Sequence, residues 1–116
     1  MPNLVLEYSN SAEERVSMPA LLADLHHVML QSGLFEASSV KSRTLRGHQW
    51  LIGEEGDSVD FIHVTVELLV GRSDEQKSEL ADALITTLSH SASHIRTLTV
   101  NLRDMEPCGF RKVINL

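Results

Sequence analysis

Cysteine occurs once in these 116 residues, at Cys108, so no internal disulfide framework can form. Aromatic residues are few, with one tryptophan, one tyrosine and three phenylalanines. Positive charge is also scarce. Ten lysines and arginines stand against sixteen aspartates and glutamates, a formal net charge of -6, which argues against a nucleic-acid-binding surface. There is no apolar run of about twenty residues, so no membrane span is expected. No charged leader with an apolar segment precedes a small-residue cleavage site, so no secretory leader is expected either. Glycine, serine and proline never gather into a linker, and nothing is low in complexity. The expectation is one cytoplasmic domain over residues 1–116, large enough for a modest core.

What is present begins with MPNLVLEYSN. Leu4, Leu6 and Tyr8 alternate with Asn3, Val5 and Glu7, the pattern of a strand with one face on a core. Pro2 suits the first position of such a strand, where its missing N–H matters least. A polar stretch follows. From Met18 to Ser32 the residues Leu21, Leu22, Leu25, Val28 and Met29 recur at helical spacing, with Ser17 as N-cap and Gly33 closing the C-terminus. Val40 to about Ile52 reads as a second extended segment, and GEEGD as a turn. In VDFIHVTVELLV, Ile62, Val64, Val66, Leu68 and Val70 form an unbroken apolar face opposite Phe61, His63, Thr65 and Glu67. Ser73 and Gln76 have the spacing of a capping box. The helix after them buries Leu80, Leu84, Ile85 and Leu88. A last strand, IRTLTVNL, buries Leu98, Val100 and Leu102.

The order is therefore β-α-β twice, with a faint repeat of residues 1–57 in 58–116. Leu22-Ala23-Asp24 recurs as Leu80-Ala81-Asp82 at an offset of 58. That offset also lays Leu4, Leu6 and Tyr8 on Ile62, Val64 and Val66, and Pro2 on Asp60. The second strands align after a small shift, Ser39-Val40-Lys41 against His94-Ile95-Arg96. Right-handed crossovers place both helices on one face of a four-stranded sheet, an α+β, two-layer fold. The other face carries Val5, Leu45 and Phe61 among polar groups, so it calls for partner subunits.

The segment GRSDEQK, Gly71 to Lys77, resembles the strand-to-helix segment of 4-oxalocrotonate tautomerase. The whole chain is more similar to the 5-carboxymethyl-2-hydroxymuconate isomerase family. The similarity comprises the initial Met-Pro, Glu7 and Ser9, Gly33-Leu34-Phe35, and Ser42-Arg43. It continues with Trp50, Phe61 and His63, Gly71-Arg72-Ser73, and Glu106-Pro107. The resemblance implies a tautomerase-like homotrimer of tandem β-α-β chains. It implies an amino-terminal proline, Pro2, as acid–base group, and an isomerase of aromatic catabolism that acts on a small dicarboxylate. Arg72 matches the arginine of the GRS motif that binds a substrate carboxylate. Lys41 falls where the family has a second such arginine, and lysine lacks the bidentate fork. Arg43, two residues on and on the same strand face, is the candidate to compensate.

Tautomerisation needs one group that takes and returns a proton near the working pH. Removal of Met1 would leave Pro2 a free secondary amine, whose high basicity is lowered by an apolar pocket and nearby cations. With Met1 retained, the Pro2 nitrogen is an amide and no base. No metal or cofactor is required. Since the second half has Asp60 in place of a proline, one active site per chain is expected. The competing expectation is a non-catalytic trimer of the same fold that binds a ligand or serves a structural role. Among the other polar residues, His63 reads as an interface residue. His90 and His94, four apart, read as a solvated helix face, and Trp50 and Phe35 as core or interface.

Overall fold

The structure is a computed structural model and describes residues 2–116. Met1, on whose removal the Pro2 reading turns, lies outside the described residues. Four strands form one sheet in the order β2-β1-β3-β4: β1 Asn3–Ser9, β2 Lys41–Gly47, β3 Phe61–Leu69 and β4 Thr97–Met105. β1 and β2 are parallel, as are β3 and β4, while the central β1–β3 pair is antiparallel. Each parallel pair is joined through a helix, α1 Met18–Gln31 and α2 Asp74–Ser91. Both helices pack on the same face, because only that face carries continuous apolar side chains.

Alternation dictates which face this is. Leu4 and Leu6 of β1 and Ile62, Val64, Val66 and Leu68 of β3 are wholly buried. They meet Leu21, Leu25 and Met29 from α1 and Leu84 and Leu88 from α2, spaced three to four residues apart so that they share one stripe. Each such leucine contributes roughly 1.5–3 kcal/mol through burial. The helix starts follow their sequence signals. Ser17 Oγ accepts from Ala20 N at 3.4 Å. Ser73 Oγ accepts from Gln76 N at 3.1 Å while Gln76 Oε1 accepts from Ser73 N at 2.9 Å, a complete capping box. Gly33, at φ +75°, ends α1 in a conformation that a side chain disfavours.

Five sequence expectations are corrected. His94 shares no helix face with His90, because α2 ends at Ser91. The second strand stops at Gly47 instead of reaching Ile52. Gly53 and Gly56 take positive φ, and Trp50 Nε1 donates to Val59 O at 2.9 Å, so the segment folds back on itself. Val70 lies past the end of β3 and is exposed. Leu98, Val100 and Leu102 are only partly buried, because β4 is an edge strand covered from one side. Finally, Lys41 faces Asn3 and Thr97 faces Phe61, so the ladders match Lys41 to Thr97, one residue beyond Arg96.

Candidate active site

Topology gathers residues that are far apart in the chain. The parallel β1–β2 pairing sets the start of β2 beside the start of β1. The antiparallel β1–β3 pairing sets the end of β3 there too. Pro2, Lys41 and the Gly71–Ser73 segment therefore meet at one end of the sheet. The Pro2 side chain is fully buried, and its carbonyl accepts from Lys41 N at 3.2 Å. Pro2 immediately precedes the Asn3–Glu67 pair.

Arg72 is not the solvated residue that its place before a helix suggests. It is half-buried, and its guanidinium is held from two sides. Nη1 donates to Leu69 O at 3.1 Å and Nη2 to Leu34 O at 2.9 Å. The guanidinium carbon lies 4.9 Å from the centre of the Phe35 ring, within cation–π range. Two of its five N–H groups are so committed, and three remain to meet a ligand. The strand end (Leu69) and the turn after α1 (Leu34, Phe35) together set the direction of the guanidinium.

Lys41 and Arg43 stand on the sheet face opposite the helices, where Arg43 faces Val5 across the ladder. Both are exposed. Lys41 Nζ donates to Ser39 O at 3.4 Å. The backbone of Lys41 thus touches Pro2, while Arg43 lies one pleat further along the bare face. No described side-chain contact joins Arg72 to Lys41 or Arg43. The bare face also carries Val5, Leu45 and Phe61, with Leu45 48% exposed, so its apolar groups are uncovered in the single chain.

Two sizeable cavities lie elsewhere. One, of about 330 Å³, runs between the helices among His27, Val28, Leu34 and Leu80. Leu34 links it to Arg72, but Pro2 does not line it. The other, of about 420 Å³, sits at the opposite end of the sheet beside Tyr8, Glu13 and Arg46. There Tyr8 Oη donates to Glu13 Oε1 at 2.7 Å, and Arg46 Nε pairs with the same oxygen. The hydrogen bond from Tyr8, reinforced by Arg46, holds the Glu13 carboxyl below the usual carboxylate range. Burial, then Glu13, pushes the Tyr8 phenol up. This cluster pins the turn Asn10–Glu14 to β2.

Sequence reasoning missed the Leu34 carbonyl and the Phe35 ring as the seat of Arg72. The Gly33-Leu34-Phe35 element of the resemblance was the available signal. The Tyr8–Glu13–Arg46 cluster left no such signal, since its members share no motif.

Comparison with known proteins agrees with this fold. The family model described as 5-carboxymethyl-2-hydroxymuconate isomerase matches residues 2–107. A 5-carboxymethyl-2-hydroxymuconate Delta-isomerase of Escherichia coli is 22% identical over 112 residues, covering 92% of this chain and 89% of the relative. The crystal structure of a 5-carboxymethyl-2-hydroxymuconate isomerase from Deinococcus radiodurans R1 superposes with a TM-score of 0.85 at 28% identity. That match covers 98% of this chain and 90% of the other. A fused 4-OT wild-type symmetric trimer shares the fold, with a TM-score of 0.78 at 23% identity over 98% of this chain and 94% of the other. With a family match from Pro2 almost to the C-terminus, on a sheet of the same architecture, the chain belongs to the 5-carboxymethyl-2-hydroxymuconate isomerase family.

Proposed function

We propose that the protein is a cofactor-independent isomerase that interconverts the enol and keto forms of an unsaturated oxo-acid dicarboxylate of aromatic catabolism, with Pro2 as the acid–base group. The observation that carries this reading is the meeting of Pro2, Lys41 and a pre-positioned Arg72 at one end of the sheet. Once Met1 is removed, the Pro2 secondary amine takes the proton of the enol hydroxyl. The electron pair left on oxygen spreads through the conjugated system as a dienolate. The resulting ammonium returns the proton to carbon, and the amine is regenerated. The buried pyrrolidine ring provides an apolar surround, the kind of setting that disfavours a charged ammonium.

Arg72 meets a substrate carboxylate with its three uncommitted N–H groups. The same charge stabilises the dienolate as it develops. Because Phe35 and two carbonyls already fix the guanidinium, little ordering remains to be done when substrate binds. Lys41 and Arg43 serve the second carboxylate from the β2 side. The bare face closes against neighbouring copies in a homotrimer, a reading supported by the trimeric 4-OT relative and by the exposed Leu45. Light scattering should then give about three times the 12.9 kDa chain mass.

The test is the rate of loss of dienol absorbance for 5-carboxymethyl-2-hydroxymuconate and for its monomethyl esters. The free acid, which carries three carboxylates, should be converted at least about tenfold more efficiently than the esters that block a carboxylate held by Arg72 or by Lys41 and Arg43, since each of those removes one charge-assisted contact. Equal rates would remove the dicarboxylate from the account. No conversion of any dienol by processed trimer would favour a non-catalytic member of the fold.

A further inference from the structure

The sheet has an approximate two-fold centred on the β1–β3 pair. Leu4 faces Val66 and Tyr8 faces Ile62, so a shift of 58 residues exchanges the two strands and sets Asp60 where Pro2 stands. Arg15 and Arg72 take similar, though not matching, places: Arg15 stands two residues ahead of Ser17 and Arg72 one residue ahead of Ser73, the serines that cap the two helices. The approach to β4, with His94 and Arg96, corresponds to the approach to β2. At this second end a cavity of about 130 Å³ opens among Arg15, Ser58, Val59, Asp60, His94 and Arg96.

Asp60 is only 8% exposed. Its Oδ1 accepts from Ser9 Oγ at 2.8 Å and from Ser11 Oγ. No described hydrogen bond reaches Oδ2. Among the described residues no buried side-chain oxygen lacks a partner, so Oδ2 must be accessible, and the cavity that Asp60 lines is its outlet. Arg15 is exposed and has no described ion pair. Arg96 Nη1 pairs with Glu55 Oε2 at 2.7 Å, which leaves its other N–H groups uncommitted. An entering anion without a donor would meet guanidinium groups on one side and a like-charged carboxylate on the other. A ligand with a carboxylate for the arginines and a hydroxyl for Asp60 satisfies both. The cavity holds the equivalent of about four waters, room for roughly five non-hydrogen atoms.

We propose that this second end is a binding site for a small 2-hydroxy carboxylate of glycolate size. Arg15 and Arg96 hold its carboxylate, and Asp60 Oδ2 accepts its hydroxyl hydrogen. The two-fold thus yields two unlike sites, one with a base among cations and one with an acceptor among cations. The second site stands independently of any role for Pro2.

Residue-resolved NMR titration of the whole protein with glycolate, and separately with acetate, tests this. Glycolate should shift the signals of Arg15, Asp60 and His94 saturably and bind about tenfold more tightly than acetate. Arg15→Gln, a change at an exposed side chain, should weaken both acids by about tenfold. Asp60→Asn keeps an oxygen for Ser9 and Ser11 but replaces the charged acceptor by an amide that can only donate to the hydroxyl oxygen, so the preference for glycolate should shrink well below about tenfold. Unmoved signals, equal binding of the two acids by the unmodified protein, or shifts confined to the Pro2 and Arg72 end would overturn the proposal. So would a folded Asp60→Asn protein that keeps the full preference for glycolate. If Asp60→Asn fails to fold, the unmodified protein and Arg15→Gln decide the matter.

Discussion

Replacing Arg72 by alanine removes a structural clamp and a substrate contact together, and the two losses are separable. In the free protein the change deletes hydrogen bonds to Leu34 O and Leu69 O and the contact with Phe35. A charged hydrogen bond contributes on the order of 1.5–3 kcal/mol and a half-exposed cation–π contact about 0.5–1 kcal/mol. Water can reach the freed carbonyls at this rim, so the net loss should be about 2–3 kcal/mol, well below the sum. For a chain of this length 1 kcal/mol moves the melting temperature by roughly 4 °C, which predicts a fall of about 8–12 °C at fixed protein concentration. Arg72→Lys should fall between, since one ammonium can reach a carbonyl but cannot hold two in a planar fork. In steady-state kinetics, loss of the carboxylate contact should lower kcat/KM by about 10- to 100-fold. Scanning calorimetry of the three proteins with matched kinetics is the assay. A melting temperature of Arg72→Ala within about 2 °C of the parent would refute the clamp. An unchanged kcat/KM would refute the carboxylate contact, whatever the melt showed.

Three further outcomes follow from the same structure. Ser73→Ala breaks the capping box of α2 and should cost about 1 kcal/mol in urea unfolding, whereas Ser78→Ala on the exposed flank of the same helix should cost far less. Glu13 has a lowered pKa in the folded protein, so its contribution to stability is present above the unfolded value and lost as pH falls through the folded one. Unfolding midpoints should therefore decline below about pH 4.5, and Glu13→Gln should flatten that decline; an identical acid profile for the variant would contradict the cluster's role. Lys41→Arg restores a bidentate group beside Pro2 and should lower KM for a dicarboxylate about two- to tenfold, and an unchanged KM would place the Lys41 side chain outside the site.

Much of the fold could be read before any coordinates, because its signals are local. The alternation Ile62–Leu68 and the Ser73–Gln76 spacing each depend on a few neighbouring residues, and both behave as periodicity and capping require. The sequence reading carries the second strand on to Ile52 because Trp50 and Ile52 are residue types that favour strands. Its fate is settled by Gly53 and Gly56 at positive φ and by the Trp50–Val59 hydrogen bond, a contact across the turn that no local pattern encodes. At the candidate site, Pro2 and Arg72 were legible through position and motif. Their convergence required strand order, since residues 2, 41 and 72 meet only if β1 pairs parallel with β2 and antiparallel with β3. The seat of Arg72 depends on a backbone carbonyl of Leu34, and a main-chain group leaves no trace in residue identity. The cavity beside Asp60 was invisible for a different reason: sequence marked the position as the counterpart of Pro2, but only the folded chain brings residues 15, 60 and 96 around one cavity.

The central claim is that a free Pro2 amine moves the proton. Protein with Met1 removed and protein with Met1 retained, each verified by intact mass, should be assayed side by side on a dienol dicarboxylate across the pH range. The account predicts that only the processed protein is active, with a rate that rises with pH through the pKa of the amine as the base is freed. Equal rates for the two proteins would mean that the amine does no chemistry and that Pro2 merely begins a strand.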